Sequence, residues 1–217
     1  MSDPKRSTLR LILWPSLITL AISVARCTLQ VRSDLSTASG GSLLPLGISW
    51  LGFVFGGWFA LRLPGRPRTG KAWLLCLVAL LALVTAVGIG FGGIDRVDRS
   101  EAAFESLRVT VLAMVGVSCA GASLCFYAWP RLALVCLAYA VPARLTVLAI
   151  TALAHQQSWD THYTKFGPAG IELEGLGETM LSASAAQLGF WVPWTVITGS
   201  LTGCLVATLR SRGGSRA

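Results

Sequence analysis

Charge is what this 217-residue chain has least of: 13% of its residues are charged, about half of the roughly 25% found in an ordinary soluble domain. So few charges cannot cover a water-facing surface, which excludes a soluble globular enzyme or binding module. Also missing are segments of about ten residues that alternate apolar and polar, the pattern of a transmembrane β-barrel. The sequence contains no P-loop, no dinucleotide fingerprint, no HExxH and no GxSxG nucleophile elbow, so the chemistries those motifs support have no foothold. Histidine occurs twice, and no two of the six cysteines stand at CxxC spacing. Neither a zinc site nor a disulfide framework is indicated.

What is present is apolar residue in long runs. The chain is 53% hydrophobic with a mean hydropathy of +0.65, and its runs have the length of about 18 to 25 residues that an α-helix needs to cross roughly 30 Å of hydrocarbon. The fold class expected is all-α: a polytopic integral membrane protein forming one transmembrane domain over residues 1–217. Six spans are read at about 9–30, 43–63, 72–94, 107–129, 131–154 and 187–209, with a long connection over 155–186.

The net charge of +8 does not point to nucleic acid, because the basic residues sit at helix ends. Eleven of the 18 Lys and Arg fall on one side of the predicted topology (Lys5, Arg6, Arg10, Arg62, Arg66, Arg68, Lys71, Arg131, Arg210, Arg212, Arg216). Five fall on the other (Arg32, Arg96, Arg99, Arg108, Lys165), and Arg26 and Arg144 lie inside spans. The positive-inside rule then puts both termini in the cytoplasm. Trp14, Trp58, Trp73 and Trp129 near the inner interface, and Trp159, Trp191 and Trp194 near the outer one, match the headgroup preference of tryptophan. The first run also resembles a secretory signal, with "SVA" before a cut after Ala25. Its removal would leave termini on opposite sides, so the run is read as a first helix.

Small residues let helices approach closely in lipid. Gly52-x-x-x-Gly56 in the second span and Gly199-x-x-x-Gly203 in the sixth are candidate contact faces, within one chain or between subunits. All six cysteines lie in spans and read as small apolar filler.

An ionised residue in a span is costly, so Arg26 and Arg144 need a reason. Ser16, Thr19, Ser23, Arg26 and Gln30 recur every three or four residues, within roughly 80° of one helical face. Arg144, Thr151 and His155 share a face of the fifth span within roughly 20°. No Asp or Glu lies within any span. The partners left are backbone carbonyls, a loop carboxylate folded inward, a lipid phosphate or an anionic ligand. Pro142, two residues before Arg144, frees the carbonyl of Ala138 and favours a kink.

The stretch "AHQQSWDTHYTKFGP" holds both histidines with Asp160. On one continuous helix His155 and His162 stand about 10 Å apart, too far to share a metal ion, so they converge only if the helix ends between them. "SWDTHY" reads as an interfacial turn with Trp159 and Tyr163 at headgroup level. Beyond it, Ile171, Leu173, Leu176, Met180 and Leu181 among Glu172, Glu174 and Glu178 read as a short amphipathic helix over the outer face. The "WDTHY" stretch resembles one in uncharacterised small bacterial membrane proteins, and the resemblance implies no activity.

The sparse chemistry, the glycine faces and the acidic outer loop favour a non-catalytic subunit or assembly partner of a larger complex in a bacterial inner membrane. Its partners would be membrane lipids and other subunits or a second copy. The alternative is a carrier or binder of a small anion or anionic lipid through Arg26 and Arg144, with His155 as a pH-sensitive neighbour. Third is a membrane enzyme or metal site at the outer interface using His155, Asp160 and His162. No cofactor is expected; haem or metal enters only with a partner chain or a homodimer.

Overall fold

The structure, a computed structural model, describes residues 4–32, 47–92, 101–166 and 171–213. The connections at 33–46 and 93–100 and the C-terminal tail lie outside the described residues, and with them part of the expected second span. Among the described residues there are seven α-helices: α1 Pro4–Arg32, α2 Leu51–Arg62, α3 Ala72–Gly92, α4 Glu101–Ala128, α5 Pro130–Gln156, α6 Leu176–Ser184 and α7 Val192–Gly213. Among the described residues the only strands, β1 Lys165–Phe166 and β2 Ile171–Glu172, form a minimal antiparallel hairpin.

The chain is thus all-helical, and among the described residues five helical stretches are long and apolar enough to cross a membrane: Thr8–Arg32, Ala72–Gly90, Arg108–Ala128, Pro130–Gln156 and Leu176–Ser211. The second expected span is the exception. Its helix begins only at Leu51 and has 12 residues, about 18 Å of rise against roughly 30 Å of hydrocarbon. The last stretch differs too. The short helix expected from Ile171 to Leu181 is not a separate element: Ile171 and Glu172 form β2, and α6 is joined to α7 without a break by a π-helical segment, Ala185–Trp191.

Leu13, Ile18, Val78, Val84, Leu112, Leu134 and Leu145 are all exposed, so the outer surface of the bundle is as apolar as its interior, as lipid-facing helices require. The packing inside rests on small residues. Gly52 and Gly56 of α2 lie against Thr195, Thr198 and Gly199 of α7, and a Cβ at Gly56 would run into the Gly199 backbone. Gly203 packs on Leu132, Ala60 and the Gly56 carbonyl. The two glycine pairs read from sequence therefore meet each other inside one chain. Thr202 Oγ1 donates to the Phe53 carbonyl at 2.8 Å across the same contact. Cys76, Cys125, Cys136 and Cys204, from four different helices, fill the shared core and are at most 1% exposed.

Contacts fix the helix directions. Gly52 to Thr195 and Gly56 to Gly199 make α2 parallel to α7, and Gly189 to Val115 with Gly121 to Ile197 do the same for α4. Gly199 against Cys136 and Gly203 against Leu132 make α5 antiparallel to α7. Thr19 to Tyr139 and Cys27 beside Val147 make α1 parallel to α5. Gly121 beside Ala79 and Gly90 beside Thr110 make α3 antiparallel to α4. Directions alternate along the chain, and the start of α1 lies at the same end of the bundle as the end of α7.

Candidate functional site

The polar residues inside the bundle gather around α5. The α1 stripe is turned inward: Thr19, Ser23, Arg26 and Gln30 are all buried. Thr19 Oγ1 lies 2.8 Å from the Pro15 carbonyl, to which it donates, and 2.7 Å from the Tyr139 hydroxyl of α5. Ser23 Oγ donates to the Thr19 carbonyl at 2.9 Å. These bonds keep hydroxyls satisfied without breaking the helix.

The loop after α5 descends into the seam between α1 and α5. Tyr163 is 7% exposed; its hydroxyl donates to the Ser23 carbonyl at 3.1 Å, and its own carbonyl accepts from Thr151 Oγ1 at 3.4 Å. The expectation of Tyr163 as a headgroup anchor is therefore corrected: it is a wedge tied to both helices, packed with Cys27 and Val147. His162, its ring 3.9 Å from that of Tyr163, bonds Gln30 Oε1 through Nδ1 at 2.6 Å. With that oxygen as acceptor, Nδ1 carries the proton. Burial, reinforced by the neighbouring Arg26 cation, holds the His162 pKa down at about 3, so the ring is neutral at ordinary pH. Burial pushes the Tyr163 phenol up, the Arg26 charge opposing it. Arg26 itself is 7% exposed beside these two rings.

Bordering this seam on α5, Arg144, Thr151 and His155 share a face and meet three different partners. Thr151 reaches the loop, as above, and His155 Nδ1 lies 3.3 Å from Thr179 Oγ1 of α6. Arg144 is 4% exposed. Its Nη1 donates to Gln187 Oε1 over a long 3.5 Å, and its guanidinium lies 5.2 Å from the Trp191 ring centroid. Its Nε is buried with no acceptor. No carboxylate pairs with Arg26 or Arg144 among the described residues: Lys165 instead binds Asp160 at 2.5 Å and Glu172 at 3.8 Å.

Gln187 and Trp191 reach Arg144 from the π-helical segment, and Pro193 explains why the helix widens there. Pro193 has no N–H to give the carbonyl four residues back, Gly189. Ser118 Oγ of α4 donates to that carbonyl instead, at 2.8 Å, while the Val192 N–H reaches back five residues to the Gln187 carbonyl. Single π turns of this kind recur at functional sites.

The two arginines stand at about the same level, since Thr19 and Tyr139 pair across α1 and α5. They meet different partners: Arg26 stands by Tyr163 and His162 of the loop wedge, and Arg144 by Gln187 and Trp191 of the π segment. The histidines are not brought together. α5 does end between them, at Gln156, yet each goes to a different helix. Among the described residues no three His, Cys, Asp or Glu side chains are grouped to hold a metal ion. Asp160 is exposed and faces Lys165.

No protein family, curated protein or solved structure matches the chain.

Proposed function

We propose that this is an integral membrane protein that binds a small anion within its helix bundle, with Arg144 as the anchor. The observation that carries the reading is the Arg144 guanidinium: 4% exposed, with no carboxylate beside it and its Nε without an acceptor. A buried arginine near the centre of a membrane helix costs about 2.5–3.5 kcal/mol on insertion scales, and intramembrane cations of this kind line ligand and ion pathways. Arg144 stands fourteen residues from Pro130 and twelve from Gln156, the ends of α5. That is inside the hydrocarbon layer, as carrier sites are, and nearer the outer side, since Arg26 at the same level stands six residues from the end of α1.

The proposal takes six passes with both termini in the cytoplasm, supported by eleven basic residues against five and by the alternating helix directions. Residues 155–166 and 171–175 then lie toward the outer face.

The test is native mass spectrometry of the gently solubilised protein, followed by dissociation of what it retains. A bound anion lost in a folded Arg144→Ala variant supports the reading, and an anion retained unchanged by that variant removes it. A second reading, a non-catalytic subunit of a larger complex, is favoured by α1, which packs chiefly on α5 and leaves Leu9, Leu13, Trp14 and Leu17 exposed. Stoichiometric partner proteins in the same spectrum would support it.

A further inference from the structure

We infer that the anion held at Arg144 is a monocarboxylate with an apolar body, an inference that rests on the anion-binding reading above. Gln187 occupies Nη1, and Trp191 lies 5.2 Å from the guanidinium carbon. What remains is the edge formed by Nε and Nη2, whose two N–H bonds point the same way and match two oxygens of one planar group. Nε on that edge is the buried atom without an acceptor.

Charge selects among the oxyanions that fit. Arg26 stands by His162 and Tyr163 and Arg144 by Gln187 and Trp191, so one cation faces the Nε edge. A monoanion leaves the pair neutral. A phosphate or sulfate dianion leaves a net negative charge in a medium where each uncompensated ion costs several kcal/mol.

Depth and surroundings select the body. The 27 residues of α5 rise about 40 Å against roughly 30 Å of hydrocarbon, which leaves Arg144 about 13 Å inside the nearer edge, deeper than a phospholipid headgroup sits. One turn away on its own helix face lie the buried Ala140 and Leu148. Leu145 and Leu188, the residues next to Arg144 and Gln187, are exposed at 52% and 42%. The guanidinium thus lies one residue inside the lipid-facing surface at the junction of α5 and the π segment. A carboxylate on the Nε edge leaves an apolar chain free to run along these leucines.

The test is isothermal titration of the full-length protein in nanodiscs with decanoate below its micelle concentration, with acetate and with inorganic phosphate. Decanoate binding at least tenfold tighter than the other two, and at least tenfold weaker in Arg144→Met, is the expected result. Gln187→Glu sets a carboxylate against the same guanidinium and removes decanoate binding even if Arg144→Met does not fold. Acetate or phosphate bound as tightly as decanoate, in an Arg144-dependent manner, overturns the monocarboxylate with an apolar body and leaves the anion site standing. No Arg144-dependent binding of any of the three overturns both.

Discussion

His162 is the residue whose protonation the fold resists. Its neutral ring is packed on Tyr163 and bonded to Gln30 with a cation nearby, so the folded pKa of about 3 lies below the ordinary value near 6.5. Between those values the unfolded chain binds the proton and the folded chain does not, so stability rises with pH across the window. The stability held above about pH 6.5 is lost as pH falls toward 3, by about 1.4 kcal/mol at pH 5.5. Thermal unfolding in detergent from pH 7.5 to 4.5 measures this. The difference between wild type and His162→Asn, which keeps a donor but does not titrate, should shrink as the pH falls, and a constant difference would show that His162 protonates freely in the fold. The inward face of α1 was legible from residue spacing alone, because Thr19, Ser23, Arg26 and Gln30 follow the regular 3.6-residue period. Gln187 and Trp191 were not, because a π turn sets them on a different period, and a single Pro193 gives no count of where the widening starts.

At the scale of elements, close helix approach decides what the bundle tolerates. Gly56 meets the Gly199 backbone, which cannot step aside as a flexible side chain can, whereas a Cβ at Gly116 of α4 has nothing within 4 Å. Gly56→Ala should therefore destabilise the folded protein by roughly 1–3 kcal/mol, the usual cost of overpacking. Gly116→Ala should be neutral or slightly stabilising, since alanine suits a helix better. Unfolding in a graded denaturing detergent compares the two, and equal midpoints for both variants would mean that the α2–α7 contact yields easily. The glycine spacings pointed to contact faces without naming the partner, since small-xxx-small reads alike within a chain and between chains. Helix ends were less legible. The apolar run at 43–63 continues across the N-terminal turn of α2, and hydropathy does not register where hydrogen bonding begins. The loop wedge was hidden for a related reason: Tyr163 reads as an interface anchor by type, and only tertiary contact turns it inward.

For the whole molecule, the proposed arrangement across the membrane rests on alternating helix directions and asymmetric charge. Three long helices, α3, α4 and α5, separate the exposed Arg66 from the exposed Gln157, so these two positions should lie on opposite sides. A membrane-impermeant maleimide applied to intact cells should label Gln157→Cys and should label Arg66→Cys only after the membrane is opened, in a background whose own exposed cysteine, Cys119, is replaced. Labelling in the reverse order would invert the orientation and put the basic ends outside. The N-terminus decides the count of passes. If α2, with the chain leading into it, completes a crossing, a tag before Pro4 is protected together with Arg66→Cys. If α2 turns back at its 12 residues, the tag and Arg66→Cys report from opposite sides. The parallel packing of α2 on α7 favours the first outcome, because a helix that runs beside α7 from Thr195 to Gly203 travels toward the same face of the membrane as α7 does.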